Sequence, residues 1–222
     1  MRIGFNSDRS NGVGDKPVQL RAATGVDHPT LPPRLVDGMI YNLQFVERER
    51  AVSAKTVAFD LDNTLTCFND EQKAFVLRPE ADWILQQLID KGHRNVLWTT
   101  AKRDYTVDFF VQFPLMIGLF DRVITTENYY PDTSAKCDEF LAAYQHLKGD
   151  ASIAEEFLRK GNVIKDVRLL GYSALVDDSE PKGVSPLGKI NFCKAKYFSW
   201  YDPDLWEDPK QFLQRILESA AR

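Results

Sequence analysis

The hydrophobic positions change rhythm along the chain. "TVAF", residues 56–59, is a short compact run that predicts a buried strand. "RPEADWILQQLIDKG" instead places Ala81, Ile84, Leu85 and Leu88 on one helical face, with Pro79 just inside the start and Gly92 at the stop. The pattern then repeats. "NVLWTT" (95–100) predicts a second strand, "RDYTVDFFVQF" a helix, and "FDRVITT" (120–126) a third strand. "SALVDDS" (173–179) predicts a fourth strand, "AKYFSW" (195–200) a fifth, and "PKQFLQRILESAA" a closing helix. Strands alternating with helices predict an α/β fold, a parallel sheet with flanking helices on both faces.

The flanking segments differ in character. Residues 1–33 are rich in Gly, Asn, Asp and Pro and predict a loosely ordered arm. Leu35, Met39, Leu43 and Val46 give 34–50 the spacing of an amphipathic helix. We expect 1–50 to be an arm and helix, and 51–222 to be one α/β domain. About fifty residues separate the third and fourth strands, too many for a simple crossover. Two short helical patterns lie there, so 127–162 is expected to be a small helical insertion.

Composition narrows the class. Of 222 residues, 44% are hydrophobic and 27% charged, which suits an ordinary globular protein with a sizeable core. The net charge of −4 argues against a broad nucleic-acid surface. The three cysteines, Cys67, Cys137 and Cys193, form no C-x-x-C pair, which predicts a reducing compartment and a cytoplasmic location. No apolar run is long enough for a membrane span, and no signal peptide is visible.

Charge is concentrated where strands end. Asp60, Asp62 and Thr64 follow the first strand, Thr99 and Thr100 end the second, and Asp177 and Asp178 end the fourth. In a parallel α/β sheet these ends share one edge, where ligands gather. Carboxylates so concentrated call for a cation, and hard oxygen donors suit Mg²⁺. Two plainer readings exist for D-x-D. It can be a turn that bonds its own backbone. Alternatively, Asp60, Asp62, Thr64 and Glu71 match positions one, three, five and twelve of a calcium loop, although Leu65 stands where that loop needs Gly. A third reading uses every part: one carboxylate attacks phosphorus, a second moves the proton, a cation neutralises charge and fixed donors hold the phosphoryl oxygens. Cysteine-based phosphatase chemistry is excluded, because the residues six beyond the cysteines are Lys73, Ala143 and Ser199 rather than Arg.

These segments resemble a known family. "DLDNTLT" resembles motif one, D-x-D-x-T, of the haloacid dehalogenase-like (HAD) phosphatases. The strand ending in Thr99 resembles motif two, and "ALVDDS" resembles acidic motif four. "LRPEADWIL", "VLWTTAKRDY", "GNVIKDVRLLG" and "VDDSEP" resemble segments of the FCP/SCP-like (NIF-like) group, whose known members dephosphorylate phosphoserine in the RNA polymerase II tail. The resemblance covers roughly 55–205 and departs at Glu80, where that group has Gly, and at Thr99-Thr100-Ala101, where it has T-A-S.

The resemblance implies roles. Asp60 would be the nucleophile, and Asp62 the general acid/base whose carbonyl also binds Mg²⁺. Thr64 would support the loop, with Asn63 as a turn donor. Thr99, Thr100 and Lys165 would hold the phosphoryl group, with Lys136 the rival to Lys165. Asp178 would be a metal ligand, with Asp177 beside it on the lysine or a metal-bound water. Only about a dozen residues separate motif one from "LRPE", so no large cap is expected there. An open site suits a phosphorylated protein or peptide, with Tyr105, Tyr129, Tyr130, Trp200 and Tyr201 as candidate cleft aromatics. The alternatives are a small-molecule phosphatase of the same chemistry and a non-catalytic docking module.

Overall fold

The computed structural model describes residues 54–126, 165–185, 188–202 and 206–222. The arm and helix expected over 1–50 and the insertion expected over 127–162 lie outside the described residues. In chain order the elements are β1 (Thr56–Phe59), β2 (Thr66–Asn69), β3 (Ala74–Leu77), α1 (Ala81–Asp90), β4 (Arg94–Trp98) and α2 (Arg103–Gln112). There follow β5 (Arg122–Ile124), β6 (Ala174–Asp177), β7 (Val184–Ser185), β8 (Gly188–Lys189), β9 (Phe192–Lys194) and α3 (Pro209–Ala221).

Five strands make a parallel sheet in the order β5-β4-β1-β6-β9. β1 lies at its centre, with Phe59 level with Leu97 on one side and Val176 on the other. This is a Rossmann-like α/β arrangement. Reversal of strand order around β1 opens a crevice at its carboxyl end, where Asp60 begins the next turn.

Alternation along the strands sorts the core. Val57, Phe59, Leu97, Val123 and Val176 join one buried cluster with residues from all three described α-helices. From α1 come Ala81, Ile84, Leu85 and Leu88, the face the spacing predicts. Each buried Leu or Ile contributes about 2 kcal/mol relative to exposure. The alternate positions Ala58, Val96, Trp98, Ile124 and Leu175 are buried as well. The described α-helices therefore cover one face of the sheet. No helix among the described residues is long and apolar enough to cross a membrane.

Helix ends explain two local features. Gly92, at φ 81°, donates its N–H to Ile89 O, and His93 donates to Leu88 O, the paired bonds of a glycine C-terminal cap. At the other end α1 starts at Ala81, not at Pro79. Glu80 caps it in the left-handed region at φ 57°, which breaks the helical path back to the proline.

Two elements differ from expectation. The fifth strand is β9, not 195–200. Residues beyond β9 are buried for another reason: Phe198 donates its N–H to Asn63 O and packs on Trp206, tucking the segment under the loop after β1. The β2–β3 hairpin was not foreseen. Its strands have four residues each, and its turn is built by Asn69 Oδ1 accepting from the N–H groups of Glu71 and Gln72. Glu71 is thus an exposed turn residue, and β2 follows the D-x-D segment, so the calcium-loop alternative does not hold.

Candidate functional site

Asp60 is the first residue after β1, and its N–H still bonds across to Val176 O. That bond extends the β1–β6 pairing by one step. It fixes where the Asp60 carboxylate leaves the sheet, beside the end of β6. The chain then turns at Asn63, which adopts φ 58° and donates its N–H to Thr66 O at 2.6 Å. Asn tolerates this left-handed conformation better than most residues. Thr64, fully buried, accepts on Oγ1 from the Asp178 N–H at 3.0 Å and so ties the β1 loop to the β6 loop.

Lys165 closes the centre. Its ammonium, buried with the whole side chain, donates to Asp60 Oδ1 and, at 2.9 Å, to Asp177 Oδ2. Burial works against a charged lysine, but the two carboxylates outweigh it and hold its pKa above the ordinary value. Asp177 accepts on its other oxygen from the Ser179 N–H at 2.8 Å. Its place beside the lysine is therefore fixed. Lys136 lies outside the described residues.

Asp60, Asp177 and Asp178 each offer a carboxylate oxygen within 4.8 Å of the others. Burial, then Asp177 and Asp60, push the Asp178 carboxyl up to about 6. Burial also raises the Asp60 carboxyl, with Lys165 pulling it back. A cation relieves this crowding. The three carboxylates could hold a metal ion, and an all-oxygen donor set suits a hard divalent cation such as Mg²⁺.

Asp62 stands apart from that cluster. It accepts on Oδ1 from the Tyr105 hydroxyl at 2.6 Å. Burial raises its pKa, partly countered by this hydrogen bond. Tyr105 comes from α2 and is locked by edge contacts with Phe75 and a tilted contact with Phe68. So it serves as a fixed donor rather than as a cleft wall. Of the other aromatics, Trp200 and the exposed Tyr201 pack edge to face, while Tyr129 and Tyr130 lie outside the described residues.

Thr99 and Thr100 follow β4, adjacent to β1. Thr99 is fully buried, and its Oγ1 accepts from the Ala101 N–H at 3.0 Å. The Thr100 carbonyl accepts from the Thr126 hydroxyl. Both threonines stand at the correct sheet edge, engaged in ordering the β4 loop.

Two site residues escaped the sequence reading. Lys182 places its ammonium 3.5 Å from Asp177 Oδ2 and 3.8 Å from Asp60 Oδ2, at the mouth of the cluster. The signal was a lysine four residues past the acidic pair, in "DDSEPK". Arg78 is the second. Its guanidinium donates to Thr64 O, to Asn63 O at 3.1 Å and to Lys196 O at 2.5 Å, lying over the Phe198 and Phe212 rings. Burial lowers its pKa to about 10, so it stays charged at neutral pH. It braces the carbonyls behind the D-x-D turn.

No protein-family model matches the chain, and no curated protein matches it. Among solved structures, an uncharacterized protein from Listeria monocytogenes serotype 4b is similar at 14% identity. It covers 76% of this chain and 99% of its own, with a TM-score of 0.37.

Proposed function

We propose that the protein is a Mg²⁺-dependent phosphomonoester hydrolase of the HAD type that works through an aspartyl-phosphate and acts on phosphorylated protein. The observation that carries this reading is the Asp60–Lys165–Asp177 contact at the end of the central strand. It joins an attacking carboxylate to a buried cation, with Asp178 beside them for metal.

The chemistry balances. An Asp60 oxygen attacks phosphorus as the bond to the leaving oxygen breaks, and Asp62 gives that oxygen its proton. Water then attacks the aspartyl-phosphate phosphorus, the acyl-phosphate P–O bond breaks, and Asp62 takes the water's proton. Inorganic phosphate leaves and both aspartates are restored. Lys165 and Lys182 hold the phosphoryl oxygens, with Thr99 and Thr100 at the β4 edge. When bound by the Asp60 and Asp178 carboxylates, with the Asp62 carbonyl, Mg²⁺ supplies neutralisation of phosphoryl charge.

A protein substrate is supported by what lies between Asp62 and α1. That segment is the short β2–β3 hairpin, not a lid large enough to enclose a metabolite. p-Nitrophenyl phosphate hydrolysis tests the reading. Turnover is expected with Mg²⁺, to vanish with chelator, and to fall by about a thousandfold or more in Asp60→Asn. Turnover unchanged in Asp60→Asn would overturn it, and no turnover with any divalent metal would leave the docking module.

A further inference from the structure

A cleft of about 490 Å³ is lined by Asp178, Lys194, Ala195, Lys196, Tyr197 and Arg215. Against the one carboxylate of Asp178 its lining carries three cations, in a chain whose net charge is −4. They are not equivalent. Arg215 is engaged with Glu207 and the Lys194 carbonyl, and lies over the Phe212 ring. Lys194 reaches Glu180 at 3.2 Å, a pair exposed on both sides and readily exchanged. The exposed Lys196 has no ion-pair partner among the described residues. Tyr197 beside it is 53% exposed, a large aromatic surface left open at the cleft wall.

The cleft is also held in register with the catalytic turn. The Arg78 guanidinium binds both Asn63 O and Lys196 O. The main chain carrying Lys196 is thereby pinned to the loop carrying Asp60 and Asp62. The backbone of the cleft wall at Lys196 therefore keeps its place relative to the reacting carboxylates.

We propose that this cleft is a specificity site for acidic residues flanking the phosphorylated residue of a protein substrate. Lys196, supported by Lys194 and Arg215, attracts a flanking Asp or Glu. The Tyr197 ring covers the apolar part of the peptide. The inference rests on the phosphatase reading for its substrate, but its charge preference can be measured without turnover.

The test is fluorescence anisotropy with labelled phosphoserine and phosphotyrosine peptides carrying either Glu or Lys on both flanks. Binding is read on the full chain with chelator in place of Mg²⁺, so that the peptides are not hydrolysed, in wild type and in Lys196→Glu, with the melting temperature of each recorded. The Glu-flanked peptides are expected to bind wild type about tenfold more tightly, as two or three partly screened charge contacts allow. Lys196→Glu, folded as judged by melting, is expected to erase or invert that preference. Equal binding of the two peptide sets by wild type, or an unaltered preference in folded Lys196→Glu, would overturn the proposal. If the preference holds while p-nitrophenyl phosphate is not hydrolysed, the specificity site stands and the phosphatase reading fails.

Discussion

The Tyr105 hydroxyl donates to Asp62 Oδ1 at 2.6 Å, across 43 residues of chain. The aromatic contacts around Phe75 leave that hydroxyl little freedom, so the carboxyl proposed to move the proton is held in one orientation. Tyr105→Phe keeps the ring and removes the donor. The expected result is a kcat on phosphoserine peptide lower by about tenfold, since positioned proton transfer carries factors of that order and more. On p-nitrophenyl phosphate the fall should be smaller, because nitrophenolate leaves without a proton. Equal losses on both substrates would mean that Tyr105 supports the fold rather than the proton transfer.

Arg78 carries the D-x-D turn from behind. Arg78→Ala leaves the Asn63, Thr64 and Lys196 carbonyls short of a donor and removes a cation from two rings. Urea denaturation should show a loss of about 3 kcal/mol or more. Arg78→Lys should recover only part, since an ammonium cannot copy the guanidinium fork. A loss below about 1 kcal/mol in the alanine variant would contradict the bracing role.

Much of the fold was legible, and the reasons differ by element. The face of α1 followed from spacing alone, because a helix packed on a sheet must bury one stripe. Lys165 was favoured by its flanking residues, and the structure brings it onto Asp60 and Asp177. The last strand was misplaced because Ala195 is buried in the core beside β6 and Phe198 under the β1 loop, and burial there imitates a strand pattern. β2 and β3 were too short to show a period. Arg78 acts through contacts with distant segments, which no local pattern records, and Lys182 showed only as a lysine four residues past the acidic pair.

Glu80 occupies a conformation that favours glycine. At φ 57°, exposed, it carries left-handed strain that a side chain gains nothing from. Glu80→Gly should stabilise the protein by roughly 0.5–1 kcal/mol, the relief of strain exceeding the entropy of a freer unfolded chain. Thermal unfolding checks this. A lower melting temperature in the glycine variant would contradict it.

Cys67 and Cys193 are buried, and burial pushes both thiols up to about 11. Below that pH they remain protonated, so the reactive thiolate is about one part in a thousand at pH 8. Thiol titration of the native protein should therefore find no more than one of the three cysteines, and raising the pH from 7 to 9 should not expose a second. Denaturant should release all three. Fast reaction of two or more thiols in the native state would contradict the burial of this pair.

The central claim is that Asp60 becomes phosphorylated. Its most direct test is a rapid acid quench during turnover of a radiolabelled phosphoserine peptide with Mg²⁺, followed by peptide mapping. Label stable in acid, released by hydroxylamine and located on Asp60, is the predicted result. Steady phosphate release with no label on the chain, or label on any other residue, would contradict it.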